Sequence, residues 1–208
     1  MARTTVPRTA GAPTRDLLLT SARRILVEDG VEGVGLRAIA RGAGVSHSAP
    51  LRHFSGLDSL LSALAAEGFV ELHASIERSV AEQGPAASAL DRLRAAGRGY
   101  VRMALEDPGV FAIMFRPDLI DAGDQICVEA GLVAFAQLVD HVADAQAEGW
   151  RSDADTGDLA VVTWAIVHGL CELWLHGPIG TDPRGIDVFV DLALQSHIPV
   201  PTIHPTEE

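Results

Sequence analysis

The stretch Leu36–Phe54, LRAIARGAGVSHSAPLRHF, contains the pattern that decides the fold. Its first half has the apolar spacing of one face of an α-helix, with side chains at Leu36, Ile39, Ala40 and Ala43. Gly44 follows at the point where a tight turn needs a residue without a Cβ atom. Ser46 then suits the start of another helix, because a serine oxygen accepts a bond from an unpaired backbone N–H. The stretch therefore predicts two short helices joined by a turn.

Two helices with this connection form a helix-turn-helix, a motif that in many proteins places its second helix in the major groove of DNA. Ala40 is small enough for the second helix to pack across the first, and Val45 supplies an apolar plug behind the turn. A plain helical hairpin fits the same residues, so both interpretations stay open at this level.

Pro50 lies inside the second predicted helix, where a proline removes a backbone N–H donor. With Ser46 as the N-cap, the loss is confined to one bond, the one to the Ser46 carbonyl, and a 3₁₀-like first turn is favoured. Pro50 and Phe54 are four residues apart and share the inner face, whereas Ser48 and Arg52 lie on the outer face. The proline is therefore compatible with a helix that presents a polar face to a partner.

Charge is distributed unevenly along the 208-residue chain, whose formal net charge is −12. Up to Leu60 there are eight Arg against five acidic residues, and beyond it eight Arg against 23, so the two parts carry +3 and −15. The chain has no Lys. A cationic first part indicates an anionic partner there, and the acidic remainder excludes a nucleic-acid-binding coat over the whole protein.

Helical periodicity continues to the end of the chain, without strand alternation of useful length, so the predicted fold class is all-α. About nine helices are predicted, at residues 14–30, 36–43, 46–54, 58–83, 86–106, 110–115, 124–148, 155–176 and 183–196. Thr14 and Asp58 are predicted to cap the first and fourth of them. Residues 1–13 are either a loose end or a basic arm that reaches into a DNA groove.

Several classes of protein are excluded by motifs that the sequence does not contain. Cys127 and Cys171 are too far apart to suggest a ligand pair or a structural disulfide, which fits a reducing cytoplasm. The apolar run Leu159–Leu175 is interrupted by polar residues, so it is predicted to be a buried helix rather than a membrane span. The scattered histidines indicate no metal site and no cofactor. No nucleophile elbow, phosphate loop or carboxylate pair indicates an enzyme.

From about Thr14 to Phe69 the chain resembles the DNA-binding head of the tetracycline-repressor (TetR) family of bacterial regulators. The matching residues are Ile39-Ala40, Ala43-Gly44-Val45-Ser46, His53-Phe54 and Leu60-Leu61. Farther along, WAIVHGL, with Trp164, His168 and Gly169, resembles the Trp-His-Gly (WHG) C-terminal subtype of the family.

The resemblance implies a ligand-responsive transcriptional regulator, most simply a repressor that binds a palindromic operator as a dimer and is released by a small molecule. It implies a flexible arm at 1–13, a three-helix DNA-binding domain with a helix-turn-helix at 14–56, a helical ligand-binding and dimerisation domain at 57–198, and a flexible tail at 199–208. The expected partners are a double-stranded DNA operator, a small-molecule effector and a second copy of the chain, bound through helices 155–176 and 183–196. A cytoplasmic protein without a membrane partner is expected.

Candidate DNA contacts lie on and around the predicted second helix of the motif: Arg37, Ser46, His47, Ser48, Leu51, Arg52 and His53. The chain departs from the family at three customary phosphate contacts, since Gly35, Leu51 and Gly56 replace the usual Thr or Ser, Tyr and Lys. These departures motivate an alternative function, a helical protein-interaction module whose degenerate head does not bind DNA.

Candidate effector contacts are adaptable or aromatic side chains on the later helices: Met103, Phe111, Met114, Phe115, Trp164, His168 and Cys171. Such side chains also fill ordinary cores, and His168 on an apolar helix fits a hydrogen-bonded core histidine equally well. Both interpretations stay open for each residue.

Overall fold

Eight α-helices follow one another in the computed structural model, which describes residues 13–177 and 185–195. They are α1 Thr14–Asp29, α2 Leu36–Gly42, α3 Leu57–Ala81, α4 Ala89–Glu106, α5 Pro108–Met114, α6 Gln125–Ala147, α7 Thr156–His176 and α8 Gly185–Gln195. Two 3₁₀-helices, Val31–Gly33 and Pro50–Arg52, lie before and after α2. These ranges contain no strand, so the all-α prediction is confirmed. The predicted tail and nearly all of the predicted arm lie outside the described residues.

The chain divides into two units. The first contains residues up to Glu67 together with Gly109–Val128, and the second contains Gly68–Pro108 together with residues from Glu129 onward. Helix α3 contributes its first eleven residues to the first unit and the remainder to the second. The predicted boundary between residues 56 and 57 concerns function and stays a prediction.

Within the first unit, α1 buries the side chains that its helical spacing predicts: Leu18, Ala22, Ile25 and Leu26. Ser21 also faces inward and donates a hydrogen bond from its Oγ to the Ile39 carbonyl of α2, at 3.0 Å. Gly109 at the start of α5 touches α1 so closely that a Cβ atom there would stand 2.8 Å from the Leu26 Cβ. Burying each leucine contributes about 1.5–3 kcal/mol to stability. The packing of α1 against α2, together with the Ser21–Ile39 hydrogen bond, holds α2 and the segment after it in place.

Within the second unit, α4, α6, α7 and α8 share one apolar core. Its members are Ala89, Leu93, Val142, Ala145, Leu159, Ala160, Val190 and Leu194. Part of α3 packs against α4 at Gly99, where an added Cβ atom would stand 2.7 Å from the Ile76 Cα. A side chain at this position would force the two backbones apart, which explains a glycine in the middle of a helix.

Three predicted helix starts differ from the structure. The N-cap of α1 is Pro13, and Thr14 is already helical, because a proline with φ −50° can precede a helix without donating a hydrogen bond. Asp58 is the second residue of α3, and its Oδ1 accepts from the neighbouring Ser59 N–H. Ser46 caps no helix.

Two other predicted helix ends agree with the structure. The end of α1 at Gly30 is confirmed, with φ +68°. Asp155 caps α7 by accepting from the Asp158 N–H at 3.0 Å.

Candidate functional site

The turn after α2 has the geometry that the sequence predicts. Gly44 has φ +67°, a left-handed conformation that glycine adopts without strain. The Val45 N–H donates to the Ala40 carbonyl at 3.0 Å, and the Gly44 N–H donates to the Arg41 carbonyl at 3.2 Å. These two bonds are the Schellman motif, which satisfies carbonyls at a helix end and reverses the chain.

The segment after this turn is the main departure from the predicted fold. A helix is predicted at 46–54, whereas residues 47–49 form a turn and Pro50–Arg52 form a 3₁₀-helix. Pro50 has no N–H to give to the Ser46 carbonyl, which accepts instead from the Ala49 N–H at 2.9 Å. The next two bonds also span three residues, and the Phe54 N–H then reaches the Pro50 carbonyl at 2.9 Å. The missing N–H of Pro50 therefore favours the tighter 3₁₀ hydrogen-bond pattern over the α-helical one in residues 46–53.

The faces of this segment are nevertheless as predicted. Pro50 and Phe54 are buried, with Phe54 only 6% exposed. Arg15 on α1 covers the Phe54 ring, with its guanidinium carbon 5.6 Å from the ring centroid. All seven candidate DNA contacts are exposed: Arg37, Ser46, His47, Ser48, Leu51, Arg52 and His53. The candidates after Gly44 are thus all exposed along one short segment, Ser46–His53, and their contact with DNA stays a prediction.

Positive charge is available on this part of the first unit. Arg37, Arg41 and Arg52 are exposed and form no ion pair with any residue that the structure describes. The arginines of α1 differ, because Arg23 pairs with Glu67 at 3.5 Å and Arg24 pairs with Glu28. An unpaired guanidinium can meet phosphate or a guanine edge without first losing an internal partner.

Candidate effector residues are divided between the two units. Phe111 and Met114 are buried and Phe115 is half-buried in the first unit, where the Phe111 and Phe115 rings meet edge-on at 5.5 Å. Met103 and Cys171 are buried in the second unit. Trp164 and His168 lie there too, half-buried. Each unit is therefore considered by itself.

In the second unit, Trp164 and His168 belong to a chain of hydrogen bonds that includes Tyr100 of α4. The Trp164 Nε1–H donates to the Tyr100 hydroxyl oxygen at 3.2 Å, and that hydroxyl lies 2.9 Å from His168 Nδ1. The opposite ring nitrogen, Nε2, is 3.9 Å from Glu172 Oε1. An indole N–H can only donate, and the Glu172 carboxylate favours a proton on Nε2. The Tyr100 hydroxyl therefore donates to Nδ1, and His168 directs its N–H toward Glu172.

Burial and the Glu172 charge set the protonation of this cluster. Burial lowers the pKa of His168, against the opposing effect of Glu172, so the ring is neutral at neutral pH. Burial raises the pKa of Tyr100, the hydrogen bond from Trp164 opposes the rise, and the Glu172 charge adds to it. Burial followed by the Glu172 charge raises the pKa of the Cys171 thiol to about 12. Cys171 is consequently a neutral, unreactive side chain.

Sequence reasoning missed Tyr100 and Glu172 as members of this site. Tyr100 is the only tyrosine in the chain, which was a signal that composition alone offered. It also missed Gly42, where an added Cβ atom would stand 2.3 Å from the Ser21 Oγ at the crossing of α1 and α2. Neither the Tyr100–His168 contact nor the Gly42–Ser21 contact leaves a local pattern in the sequence, because each joins residues of two different helices.

Metal and disulfide chemistry find no site in the described ranges. No group of three histidine, cysteine or acidic side chains there is placed to hold a metal ion. Cys127 and Cys171 are both buried and unpaired.

The two helices predicted to mediate dimerisation expose apolar side chains on one side. Leu173, Val188 and Leu192 are 48%, 56% and 54% exposed, and Phe189 is 40% exposed. Trp174 and Leu194 instead belong to the core of the second unit, each at 6% exposure. By length and composition alone, α6 and α7 could each cross a membrane, a test that core helices of soluble proteins also pass.

Family models and known proteins that match this chain agree on one family. A family model described as the tetracyclin repressor-like C-terminal domain matches residues 93–197, and one described as bacterial regulatory proteins of the tetR family matches residues 18–64. The uncharacterized HTH-type transcriptional regulator YobS of Bacillus subtilis is 29% identical over 98 residues, 47% of this chain and 49% of its own. The matched stretch thus spans about half of that curated relative.

Solved structures match over nearly the whole chain. A protein of unknown function from Rhodococcus sp. RHA1 is 34% identical, with a TM-score of 0.76 and coverage of 91% of this chain and 96% of its own. The fatty acid degradation regulator FadR from Bacillus halodurans has a TM-score of 0.72 at 15% identity, covering 89% of this chain and 97% of its own. The second match, at this low identity, shows a shared fold.

Proposed function

Because this chain belongs to the tetracycline-repressor (TetR) family, a family of DNA-binding transcription regulators and not of enzymes, we propose that it is a cytoplasmic repressor. It binds a palindromic operator as a homodimer and leaves it when a small molecule binds. The observation that carries the proposal is the surface after Gly44, which is polar, exposed and accompanied by three unpaired arginines. The WHG subtype, carried by Trp164, His168 and Gly169, forms part of the same proposal.

DNA contact in this proposal is divided by chemistry. Arg52 lies on the outer face of the 3₁₀-helix and takes a guanine edge or a phosphate in a bidentate contact. Ser46, Ser48, His47 and His53 donate to phosphate or base edges around it, and Arg37 contacts the backbone from α2. Leu51 is 61% exposed, so it offers an apolar surface to a thymine methyl group. Leu51 thereby makes an apolar contact in this proposal, where the hydroxyl of the tyrosine common in the family makes a polar one.

A dimer follows from the size of this surface. One short segment touches few base pairs, and two copies on half-sites about one helical turn apart give the usual affinity and specificity. The exposed apolar side chains of α7 and α8 supply the contact between copies, and the −15 charge of the remainder keeps it away from DNA.

Release by an effector requires only that the effector binds better to the state that does not bind DNA. A hundredfold difference in effector affinity between the two states corresponds to about 2.7 kcal/mol and lowers the operator affinity by up to about a hundredfold. The Tyr100–Trp164–His168 cluster of the second unit is the proposed effector site, with Met103 and Cys171 nearby in the same unit. Phe111, Met114 and Phe115 of the first unit are proposed as effector contacts as well.

The test is selective binding to DNA from upstream of the protein's own gene. Wild-type protein is expected to shift that DNA with an affinity that falls steeply as salt rises. Arg52→Ala is expected to lose about 5- to 160-fold in affinity, because a bidentate contact contributes about 1–3 kcal/mol. Arg78→Ala is the matched control, since it removes an exposed arginine of α3 that pairs with Glu71 at 2.8 Å.

The second candidate function is a helical interaction module without DNA binding. The exposed Leu51, at a position where the family commonly has tyrosine, favours it. Sequence-selective binding that depends on Arg52 would exclude this candidate, and its absence in wild-type protein would exclude the repressor.

A further inference from the structure

The cluster around His168 has an electrostatic character that points to the class of its ligand. Burial raises the pKa values of Tyr100 and Cys171 and lowers that of His168, and the charge of Glu172 acts on all three groups in the upward direction. Glu172 itself is 46% exposed in its side chain and stands 3.9 Å from His168 Nε2. The other polar groups of the cluster are neutral at pH 7. The potential there is consequently negative.

The aromatic rings of the cluster form a chain of ring contacts that runs from Tyr100 through His168 and Trp164 to Phe135. The Trp164 and Phe135 ring centroids are 5.9 Å apart at 58°, and those of Trp164 and His168 are 6.1 Å apart at 63°. Tyr100 meets His168 at 6.4 Å and 76°. Inclined rings present their electron-rich faces in different directions. Faces of tryptophan and tyrosine attract cations, and attract them more strongly where water is partly excluded.

We propose that the effector site of the second unit binds an organic cation, a protonated amine on an apolar body, with Glu172 as its counter-charge and the half-buried Trp164 as its aromatic wall. The proposal rests on the effector site put forward above and names its ligand class. An anionic ligand is disfavoured there, because Glu172 repels it and the His168 ring is neutral. The hydrogen-bond chain fixes the His168 ring so that its Nε2–H faces Glu172.

Three probes with the same decyl chain test the sign of the charge: decylammonium, decan-1-ol and decanoate. Each is titrated calorimetrically into the full-length protein, below its micelle-forming concentration and at neutral pH. Decylammonium is expected to bind at least about tenfold more tightly than decanoate, with the alcohol between them. Equal or tighter binding of decanoate overturns the proposal, and so does the failure of decylammonium to bind.

Two variants assign the preference to one residue. Glu172→Gln keeps the shape and removes the charge, so the ratio of decylammonium to decanoate affinity should fall toward one. Glu129→Gln makes the same change in net charge at an exposed position of α6 and should leave the ratio unchanged. If Glu172→Gln preserves the preference, the cation lies elsewhere and the proposal fails.

The repressor function is scored separately on operator DNA. Glu172-dependent binding of decylammonium that releases DNA supports both proposals. The same binding without release supports the cation site and contradicts the effector mechanism. Operator binding by a protein that ignores decylammonium contradicts the cation site and leaves the DNA-binding function standing.

Discussion

At the residue scale, Gly44 fixes where the segment Ser46–Phe54 begins. Its φ of +67° is costly for other residues, although a Cβ atom there would meet nothing within 4 Å. The constraint is therefore backbone conformation and not space. We expect Gly44→Ala to lower the free energy of unfolding by about 1–2 kcal/mol, as measured by urea denaturation.

Asparagine provides the control at this position, because it tolerates the left-handed region better than alanine. Gly44→Asn should therefore lose less stability than Gly44→Ala. Equal losses from the two substitutions would show that the turn does not depend on the left-handed conformation of this residue.

Single residues also mark how far sequence reasoning reached. The burial of Pro50 and Phe54 and the exposure of Ser48 and Arg52 follow from spacing alone, and all four are confirmed. The Tyr100–His168 contact joins residues 68 positions apart, and no local pattern carries such a pairing. It depends on how α4 and α7 pack, which is decided by the whole core.

At the element scale, the segment after Gly44 shows the same limit. Spacing correctly predicts where a helical element lies and which side faces inward. An α-helix was predicted wrongly for 46–54. Because Pro50 has no N–H, the backbone N–H groups around it bond to the carbonyl three residues earlier, as in a 3₁₀-helix, and not four residues earlier. The end of α1 was predicted correctly at Gly30, where glycine adopts a positive φ. Its start was predicted wrongly, because Thr14 was taken as the capping residue and is instead the first residue of the helix.

The contact between α3 and α6 in the second unit contains unusually polar buried atoms. Gln137 is 8% exposed and donates from Nε2 to Glu77 Oε1 at 2.6 Å. Gln137 Oε1 and His141 Nε2 are buried and find no hydrogen-bond partner among the described residues. A buried polar atom without a partner costs about 1–3 kcal/mol, so this contact is a weak point of the second unit.

This contact should make stability depend on pH. Burial lowers the pKa of His141 below its usual 6.5; Glu77 of α3 and Asp144 and Asp140 of α6 oppose the shift, and Arg92 of α4 adds to it. Since the folded state disfavours the proton, His141 contributes full stability above about pH 6.5 and loses it as pH falls through the lower folded-state pKa. His168, whose pKa is also lowered, acts with the same sign.

Urea denaturation at about pH 7.5 and about pH 5 is the measurement for this effect. Wild-type protein should be less stable at the lower pH, and His141→Asn should lose less on acidification. His47→Asn, which removes an exposed imidazole, should follow the wild type. An unchanged pH dependence in His141→Asn would contradict the assignment.

At the scale of the whole molecule, the proposed function depends on pairing two copies of the chain. Leu173 of α7 is 48% exposed, and α8 also exposes apolar side chains, at Val188, Phe189 and Leu192. Leu173→Asp should produce a monomer, as measured by sedimentation. Operator affinity should then fall at least about a hundredfold, because the second half-site no longer binds as part of one assembly.

The matched control for this substitution is Val70→Asp. Val70 is 63% exposed on α3, so the same charge replaces an apolar side chain on a different element. That variant should remain dimeric and bind the operator normally. A dimeric Leu173→Asp protein would place the contact between copies on another surface.

The tightened geometry of the Pro50–Arg52 segment has a practical consequence for gene circuits. A 3₁₀-helix turns every three residues and rises about 2.0 Å per residue, against 3.6 residues and 1.5 Å for an α-helix. In the proposed DNA complex, side chains on this 3₁₀-helix therefore meet neighbouring base pairs with a spacing and angular order different from those of an α-helix. We expect a repressor built this way to ignore promoters designed for α-helical readers. Several such regulators could then work side by side in one cell without cross-talk.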